Sequence, residues 1–245
     1  MMNLVVDIGN TCLKYAFFRA GEIEKVGYVR EKMVVLLNEY VERGEKVCIF
    51  LSGSGKIEED LRGYLRSLAD FWLEAEMGRV RLPLVIGYET PETLGFDRVA
   101  DCVGARLFFP EKDVLVIDSG TAITYNYLSE DGVFLGGNIS PGQDIRFRAL
   151  NIYTKNLPYV EVRGEVKAYG KNTCDAISAG VMKGILWEVK GCIDEFWGEH
   201  PTGRVAITGG YSQYLEGKLP DGVFFENYLG LYGLNEILEY NKNVY

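Results

Sequence analysis

One pattern occurs twice in the sequence, at Leu4–Lys14 and at Leu115–Tyr125: an apolar β-type run, Asp-x-Gly, a hydroxyl residue and a second apolar run. At constant offset Asp7 matches Asp118, and a glycine follows each aspartate by two residues. The pattern predicts two strands joined by a tight turn, whose glycine lets backbone N–H groups approach a ligand closely. A single Asp-x-Gly is also common in ordinary hairpins, but two such hairpins facing one cleft would clamp a phosphate chain and its metal.

The repeat divides the 245 residues into two related halves, and we predict domains at residues 1–110 and 111–245. The hydrophobic content of 47% supplies a packed core, and the charged content of 25% is ordinary for a soluble domain. The formal net charge of −9 argues against nucleic acid or an acidic membrane as a partner, since both need a positive field. Nucleotides are not excluded, because a buried site can hold phosphates with a lysine, a metal ion and backbone N–H groups.

Cysteine and histidine usage narrows the chemistry further. The five cysteines are odd in number and form no CxxC pair, which favours reduced core thiols in a cytosolic protein. The first predicted strand follows Met1–Asn3 directly and no apolar run could cross a bilayer, so we expect a cytoplasmic protein without a signal peptide. The single histidine, His200 in a predicted surface loop, nearly excludes a Ser–His–Asp triad or a histidine zinc site. Acid–base chemistry therefore falls to carboxylates.

The spacing of apolar residues predicts an α/β chain in which a hairpin is followed by helices and strands in alternation. Helices are expected at about residues 31–44, 57–69, 96–109, 143–150, 173–197 and 230–240. Strands beyond the first are expected at residues 13–19, 23–29, 47–52, 82–87, 133–139 and 205–208. The cluster Ser52–Gly55 could hold a phosphate, but it lacks the Lys-Ser/Thr of a P-loop, which favours a plain connection.

The most distinctive loop runs from Tyr88 to Arg98 and leads into a helix whose first turn contains Asp97 and Arg98. Asp97 either satisfies the N-terminus and dipole of that helix or has a chemical function. Arg98 either forms a solvated ion pair or binds a ligand. Asp101 lies one turn further on the same side of the helix. Thr173, at the start of the long helix, is likewise either part of a cap or a functional residue.

Together these motifs resemble the type III pantothenate kinases, small members of the actin/hexokinase/Hsp70-like nucleotide-binding superfamily. The matching segments occur in the order found in that family and cover nearly the whole chain: Asp7–Lys14, Tyr88–Arg98, Asp118–Ala122, Gly136–Gly142, Asn172-Thr173 and Thr208–Gly210. The resemblance implies an α/β fold of two similar ribonuclease H-like (actin-like) domains. Each would be a mixed β-sheet flanked by helices, with an ATP cleft between them.

The resemblance also assigns roles to residues. It implies ATP binding by the first hairpin and by the turn of the second, through Asp7, Ile8, Gly9, Asn10, Thr11, Cys12, Leu13, Lys14 and Thr121. It implies pantothenate binding by Tyr88, Gly95, Phe96, Asp97, Arg98 and Thr173. Asp97 would be the proton acceptor, Asp118 would hold a monovalent cation (potassium or ammonium), and the protein would be a homodimer. Asp7 would hold Mg²⁺ directly or through water, since that ion prefers oxygen ligands and keeps much of its hydration shell.

We therefore predict ATP-dependent phosphorylation of pantothenate to 4'-phosphopantothenate, the first step of coenzyme A biosynthesis. Alternatives are a non-catalytic regulatory relative, an actin-like ATPase or filament subunit, and a phosphohydrolase; the intact Lys14, Asp97 and Arg98 argue against the first. One residue departs from the family pattern, because Asp101 stands where an asparagine is usual. This carboxylate would either raise the proton affinity of the pair that it forms with Asp97 or pair with Arg98.

Overall fold

The computed structural model describes residues 1–9, 12–53, 58–162 and 165–242. The chain divides into two compact units. The first comprises Met1–Glu111, Leu128–Gly136 and Tyr228–Tyr245, and the second comprises Lys112–Tyr127 and Gly137–Asn227. The predicted domains at residues 1–110 and 111–245 stay a proposal, since a compact unit is not by itself an independently folding domain.

The described residues form eleven strands and six α-helices. The strands are β1 (Met2–Ile8), β2 (Leu13–Arg19), β3 (Glu22–Gly27), β4 (Val47–Gly53), β5 (Phe71–Glu74), β6 (Val85–Ile86), β7 (Val114–Ser119), β8 (Ala122–Leu128), β9 (Val133–Pro141), β10 (Arg204–Thr208) and β11 (Val223–Phe225). The helices are α1 (Arg30–Glu42), α2 (Glu59–Leu68), α3 (Phe96–Phe108), α4 (Gln143–Tyr153), α5 (Thr173–Glu199) and α6 (Leu229–Lys242). The six predicted helices are thus confirmed. The predicted strand at 82–87 shrinks to two residues, and the edge strands β5 and β11 were not predicted.

The first unit is built on a mixed five-stranded sheet in the order β3-β2-β1-β4-β5. β1 is antiparallel to β2 and parallel to β4, so it lies at the centre and its apolar run is buried. Strand alternation sends Leu4 and Val6 into a core with Met33 and Leu37 of α1. The other face of the sheet, to which Asn3 points, is covered by α6.

The second unit repeats this plan. The second sheet has six strands in the order β6-β9-β8-β7-β10-β11. Without the two-residue edge strand β6, this is the order of the first sheet with each strand replaced by its counterpart. The long helix α5 supplies one apolar face, including Ile185 and Val189, against Leu115 and Ile117 of β7. The predicted α/β fold of two similar mixed sheets flanked by helices is confirmed, and the sequence repeat marks the equivalent hairpins.

The prediction that the cysteines are core thiols needs correction. Cys48 and Cys102 are buried free thiols as expected, but Cys12 and Cys174 are exposed and do not belong to a core. His200 is the C-cap of α5 and is partly exposed, as expected for a residue in a surface loop. Its ring stacks on the buried Phe196, and its Nδ1 lies 3.0 Å from a carboxylate oxygen of Asp113. None of the helices within the described ranges has the length and apolar character needed to span a membrane.

Candidate functional site

The first hairpin brings a carboxylate and a lysine into one row at the end of the central strands. Asp7 of β1 lies opposite Lys14 of β2 and in register with Ser52 of β4, and directly opposite residues share a face of the sheet. The Gly9 N–H donates to the Cys12 carbonyl at 3.0 Å, which closes the turn. The carboxylate of Asp7, the amino group of Lys14 and the hydroxyl of Ser52 thus belong to neighbouring positions in the sheet. They lie at the carboxyl ends of the parallel strands β1 and β4, the edge at which α/β proteins commonly bind ligands.

Not all of the predicted nucleotide-binding segment can be placed. Ile8 and Leu13 are paired and half-buried at the ends of the two strands, so they support the turn. Asn10 and Thr11, predicted to bind ATP, lie outside the described residues, as does the second half of the Ser52–Gly55 cluster. Cys12 is exposed next to this turn.

The position of the Asp97 side chain depends on the absence of a side chain at Gly95. Gly95 precedes the helix, and a Cβ added there would lie 2.4 Å from Asp97 Oδ1. The same carboxylate oxygen accepts the Arg98 N–H at 2.9 Å. Asp97 therefore does bond the helix N-terminus, as one interpretation predicts, and yet the residue is exposed, so its second oxygen can reach a ligand.

Arg98 is buried, and the prediction of a solvated ion pair is wrong. Its guanidinium carbon lies 5.8 Å from the centre of the Tyr88 ring and 5.5 Å from that of Phe134, within the range of cation–π attraction. The two rings are themselves in edge contact at 6.1 Å. Only 5% of Arg98 is exposed, so its charge acts in a low-dielectric surrounding where an anion would be bound strongly.

Phe134 of β9 contacts this loop through Tyr88 and Arg98, and the sequence analysis did not identify it. It reaches Tyr88 because β6 pairs with the start of β9: the Val85 N–H donates to Gly132 O and the Gly87 N–H donates to Phe134 O, both at 2.9 Å. Nothing in the local pattern around Phe134 names its partner, since the contact joins segments more than 40 residues apart.

Asp101, the departure from the family pattern, is also buried on α3. A Cβ added at Gly230 of α6 would lie 2.8 Å from Asp101 Oδ1, so the glycine admits the carboxylate to the helix interface. The pKa of the neighbouring Cys102 thiol is raised well above its ordinary value by burial and further by Asp101, with Arg98 opposing. The charges of Asp101 and Arg98 therefore both act on the surroundings of Cys102.

The second hairpin holds Asp118 under a glycine loop. Asp118 lies at the end of β7 in register with Thr208 of β10. Gly209 follows with φ +96°, and a Cβ there would lie 2.2 Å from Asp118 Oδ1, so only glycine fits. The Tyr211 N–H then donates to Ser119 O at 2.9 Å, which ties this loop across the end of β7. Thr208–Gly210, one of the segments that match the family, thus lies beside Asp118.

The turn of the second hairpin is tighter than the first. The Gly120 N–H donates to Ala122 O at 3.0 Å, so Thr121 alone lies between them, whereas the first turn spans two residues. The Gly142 N–H donates to Thr121 O at 3.1 Å, and a Cβ at Gly142 would lie 2.4 Å from the carbonyl oxygens of Gly120 and Thr121. The two copies of the repeat therefore correspond residue by residue only as far as Gly9 and Gly120, because the second turn is one residue shorter. The glycine-rich segment before α4 therefore packs directly against the turn, and the absence of a side chain at Gly142 permits this contact.

Thr173 is not the cap of α5. Asn172 is the N-cap, and its side-chain oxygen accepts the Asp175 N–H at 2.9 Å. Thr173 is exposed and lines a cavity of about 1030 Å³ between α4 and α5. It belongs to the second unit, whereas Tyr88 and Gly95–Arg98 belong to the first.

The acidic residues suit a hydrated ion better than a protein-caged one. Within the described ranges no group of three or more His, Cys, Asp or Glu side chains could enclose a metal. Asp7 lies near the end of β1, and Asp118 lies near the end of β7. A single carboxylate is what Mg²⁺ needs when substrate phosphates and water complete its octahedral shell. The donor set at Asp7 therefore fits Mg²⁺.

Comparison with known proteins identifies relatives along nearly the whole chain. The family model described as type III pantothenate kinase matches residues 3–195. A protein of Phocaeicola vulgatus named type III pantothenate kinase is 38% identical over 247 residues, covering 99% of this chain and 100% of that protein.

Two solved structures share the fold at lower identity. A Campylobacter jejuni structure described as a candidate Baf family transcriptional activator has a TM-score of 0.58 and 23% identity, covering 98% of this chain and 99% of that one. A Sinorhizobium meliloti structure described as a candidate 2-dehydro-3-deoxygalactonokinase has a TM-score of 0.53 and 14% identity, covering 99% and 98%. Both show the fold alone.

Proposed function

The chain belongs to the type III pantothenate kinase family, and on this premise we propose that it phosphorylates pantothenate to 4'-phosphopantothenate with ATP, the first step of coenzyme A biosynthesis. The observation that carries the proposal is that an exposed carboxylate, Asp97, and a buried arginine, Arg98, are adjacent residues at the start of α3. Such a pair can orient an acceptor that has a hydroxyl at one end and a carboxylate at the other. Phosphoryl transfer asks a protein mainly for this alignment and for charge neutralisation.

The phosphate chain of ATP would be gripped by the first hairpin. Gly9 and the adjoining N–H groups approach the phosphates, and Lys14 supplies a point charge from the row that it shares with Asp7. Asp7 would hold Mg²⁺, directly or through water, and that ion when bound neutralises phosphate charge. Of the other residues predicted to contact ATP, Ile8, Cys12 and Leu13 adjoin this turn, while Asn10 and Thr11 lie outside the described residues.

We propose two roles for the second hairpin. Asp118 would hold a monovalent cation, potassium or ammonium, against the phosphate oxygens, and Thr121 would bond a phosphate from its exposed position in the turn. Support comes from the close approach of Gly209 to Asp118, since a Cβ at this glycine would lie 2.2 Å from Asp118 Oδ1.

The acceptor would lie against the loop before α3. Asp97 takes the proton of the primary hydroxyl or aligns it for attack on the γ-phosphate. Arg98 binds the pantothenate carboxylate, for which its planar fork is suited. Tyr88 and Phe96 would pack against the acceptor chain, Gly95 would let it approach the backbone, and Thr173 would add a hydroxyl.

The first test is ADP release by purified protein with ATP, Mg²⁺ and pantothenate, in potassium and in sodium buffers. We expect ADP to appear only with pantothenate and faster with potassium or ammonium. ADP without acceptor would indicate a phosphohydrolase, and nucleotide-dependent light scattering would indicate a filament subunit. Absence of pantothenate-dependent ADP in every buffer would overturn the proposal.

Asp97→Asn tests the base. The variant keeps the shape and the bond to the Arg98 N–H, but it cannot take a proton, so kcat should fall by about a hundredfold or more while the affinity for ATP is retained. Glu92→Gln, an exposed acid five residues earlier in the same loop, is the matched control and should behave as the unaltered protein. A near-normal kcat for Asp97→Asn would show that another group accepts the proton.

We also infer a homodimer, and a cytoplasmic location follows from the biosynthetic role of the family. The surface that favours a dimer is on α4, where Ile152 and Tyr153 are 69% and 86% exposed beside the cavity that Thr173 lines. Large exposed apolar side chains of this kind commonly mark a contact surface. Sedimentation velocity should give twice the chain mass, and a monomer at micromolar concentration would contradict the inference.

A further inference from the structure

A set of polar contacts in the second unit surrounds the turn that carries Thr121. Arg146 of α4 is at its centre: Nε donates to Pro141 O at 2.7 Å and Nη2 donates to Ser140 Oγ at 3.0 Å. Nη2 also pairs with the Glu188 carboxylate of α5. One guanidinium thus joins the segment before α4 to the long helix, a three-way contact that a lysine could not reproduce.

Glu188 carries the contacts on to the second hairpin. Its other oxygen accepts the Tyr125 hydroxyl at 2.7 Å, and Tyr125 of β8 is almost fully buried. Burial alone would raise the pKa of Glu188, but hydrogen bonds from Arg146, Tyr125 and Ser140 outweigh it and hold that pKa below its ordinary value. Burial and then the hydrogen bond to Glu188 raise the pKa of Tyr125. The pair therefore stays a charged carboxylate facing a neutral phenol at neutral pH.

The contacts close into a ring at Thr121. The Arg146 N–H donates to Gly142 O, and the Gly142 N–H donates to Thr121 O, both at 3.1 Å. Tyr125 follows Thr121 by four residues on the same hairpin, so the ring runs from Thr121 through Gly142, Arg146, Glu188 and Tyr125 and returns along β8. The turn is consequently held from its start by Gly142 and from its strand by Tyr125.

We propose that Arg146 and Glu188 are positioning residues that fix the Gly120–Thr121 turn for the phosphate chain of the nucleotide. The inference rests on the proposed function, because it takes Thr121 to contact ATP. Neither side chain touches the nucleotide; both act through the segment Ser140–Gly142, whose glycine leaves no gap against the turn. When either side chain is removed, the turn can shift, so the binding of ATP weakens more than the binding of the acceptor.

Two other roles for Arg146 give different results. A purely structural ion pair, which 19% and 30% side-chain exposure would permit, changes stability and leaves both Michaelis constants alone. A ligand contact in the cavity that Arg146 lines together with Thr173 changes the Michaelis constant for pantothenate instead.

The test compares Arg146→Gln, Arg146→Lys and Glu188→Gln in the full chain, with Arg148→Gln as control because Arg148 is exposed on the same helix. Arg146→Gln removes the charged hydrogen bonds that hold the segment Ser140–Gly142. Because this segment supports the turn, we expect the KM for ATP to rise by about tenfold. Arg146→Lys should recover only part of this, and the KM for pantothenate should change less than about twofold. The double variant Arg146→Gln/Glu188→Gln should be no worse than the worse single variant, because the two residues act as one unit.

The outcomes separate this inference from the proposed function. If the unaltered protein releases no pantothenate-dependent ADP, the proposed function fails, and so does the inference that depends on it. If the unaltered protein turns over but Arg146→Gln lowers only the melting temperature, the pair is structural and the inference is wrong. A selective rise in the KM for pantothenate overturns it as well, and full rescue by lysine would show that charge alone matters.

Discussion

At the residue scale, Gly95 places Asp97 by leaving space for it. In Gly95→Ala the new Cβ would lie 2.4 Å from Asp97 Oδ1, so the carboxylate must turn away from its place beside the Arg98 N–H. We expect kcat to fall by about tenfold to a hundredfold with an unchanged KM for ATP, since small displacements of a reacting group cost that much. Steady-state kinetics with each substrate varied in turn will measure both constants.

A second glycine serves as control for this substitution. Gly63 lies in α2, and a Cβ added there meets no described atom within 4 Å. Gly63→Ala should stabilise the protein by about 0.5–1 kcal/mol, the usual gain from removing glycine inside a helix, and should leave kcat unchanged. If Gly95→Ala keeps normal turnover, Asp97 is not held by the glycine or is not the base.

Phe134→Leu tests whether the aromatic face, and not only apolar volume, holds Arg98. Leucine fills much of the space but cannot attract the guanidinium, and cation–π energies are about 0.5–2 kcal/mol. We expect the KM for pantothenate to rise by about three- to tenfold, with little change for ATP. Phe147→Leu, a buried phenylalanine of the second unit, is the control for general core loosening. An equal rise in both constants would mean that Phe134 supports the fold only.

These residues also mark how far the sequence could predict the site. Asp97 and Arg98 are identifiable because their motif is contiguous, and Asp118 is identifiable because its pattern repeats. Phe134 is not, since its contact with Arg98 depends on how β6 and β9 pair. Asn172 rather than Thr173 is the cap because the backbone of Asn172 adopts the extended N-cap conformation and its side chain accepts the Asp175 N–H, a detail that composition leaves open.

At the element scale, the repeat predicts the paired hairpins but not the strands that follow them. β5 and β11 have four and three residues at the sheet edges, so each is too short to show a periodic pattern. The equal strand order of the two sheets nevertheless follows from the repeat, because each hairpin is joined by a parallel strand on the same side.

The packing of α3 on α6 depends on glycines that a sequence pattern would count as helix-weakening. A Cβ at Gly104 of α3 would lie 2.1 Å from Leu229 O, and one at Gly233 of α6 would lie 1.8 Å from Ala100 O. Helix backbones thus approach directly, and neither helix has room for a methyl group there.

Gly233→Ala should therefore destabilise the protein although alanine is the better helix former. Overpacking of a tight interface costs about 1–3 kcal/mol, which exceeds the gain in helix propensity of about 1 kcal/mol. Urea unfolding followed by circular dichroism will measure the change. Gly191→Ala in α5, where a Cβ meets no described atom within 4 Å, should be stabilising. A neutral or stabilising Gly233→Ala would show that α3 and α6 separate without cost.

At the scale of the whole molecule, we expect protonation of Glu188 at low pH to lower the stability of the second unit. Its pKa is below the ordinary value of 4.5 in the folded protein, so the carboxylate stabilises the fold at pH values above about 4.5. That contribution is lost as the pH falls through the lowered pKa. The difference in unfolding free energy between the unaltered protein and Glu188→Gln should therefore shrink between pH 6 and about pH 3. A difference that grows on acidification would contradict the direction of this shift.

The chain closes on itself in the first unit, which is the feature least accessible to sequence reasoning. Asn3 of β1 donates to Asn235 Oδ1 at 2.7 Å and to Glu239 Oε1 at 2.6 Å, and Lys242 donates to Asn3 Oδ1 at 3.0 Å. The pattern of residues 230–240 predicts an amphipathic helix, but not that it packs on strands at the other end of the chain. A first domain ending at residue 110 would lack this cover.

Truncation after Asn227 should consequently unfold the first unit. The deletion removes five buried apolar side chains of α6: Leu229, Leu231, Leu234, Ile237 and Leu238. Each contributes about 1.5–3 kcal/mol by burial, so their sum is comparable with the entire net stability of a domain, about 5–15 kcal/mol. Hydrogen exchange should then show loss of protection in β1 and β4, the strands that α6 covers. A chain ending at Lys242 keeps all of α6 and should retain that protection, whereas full protection in the shorter chain would mean that α1 and α2 alone stabilise the sheet.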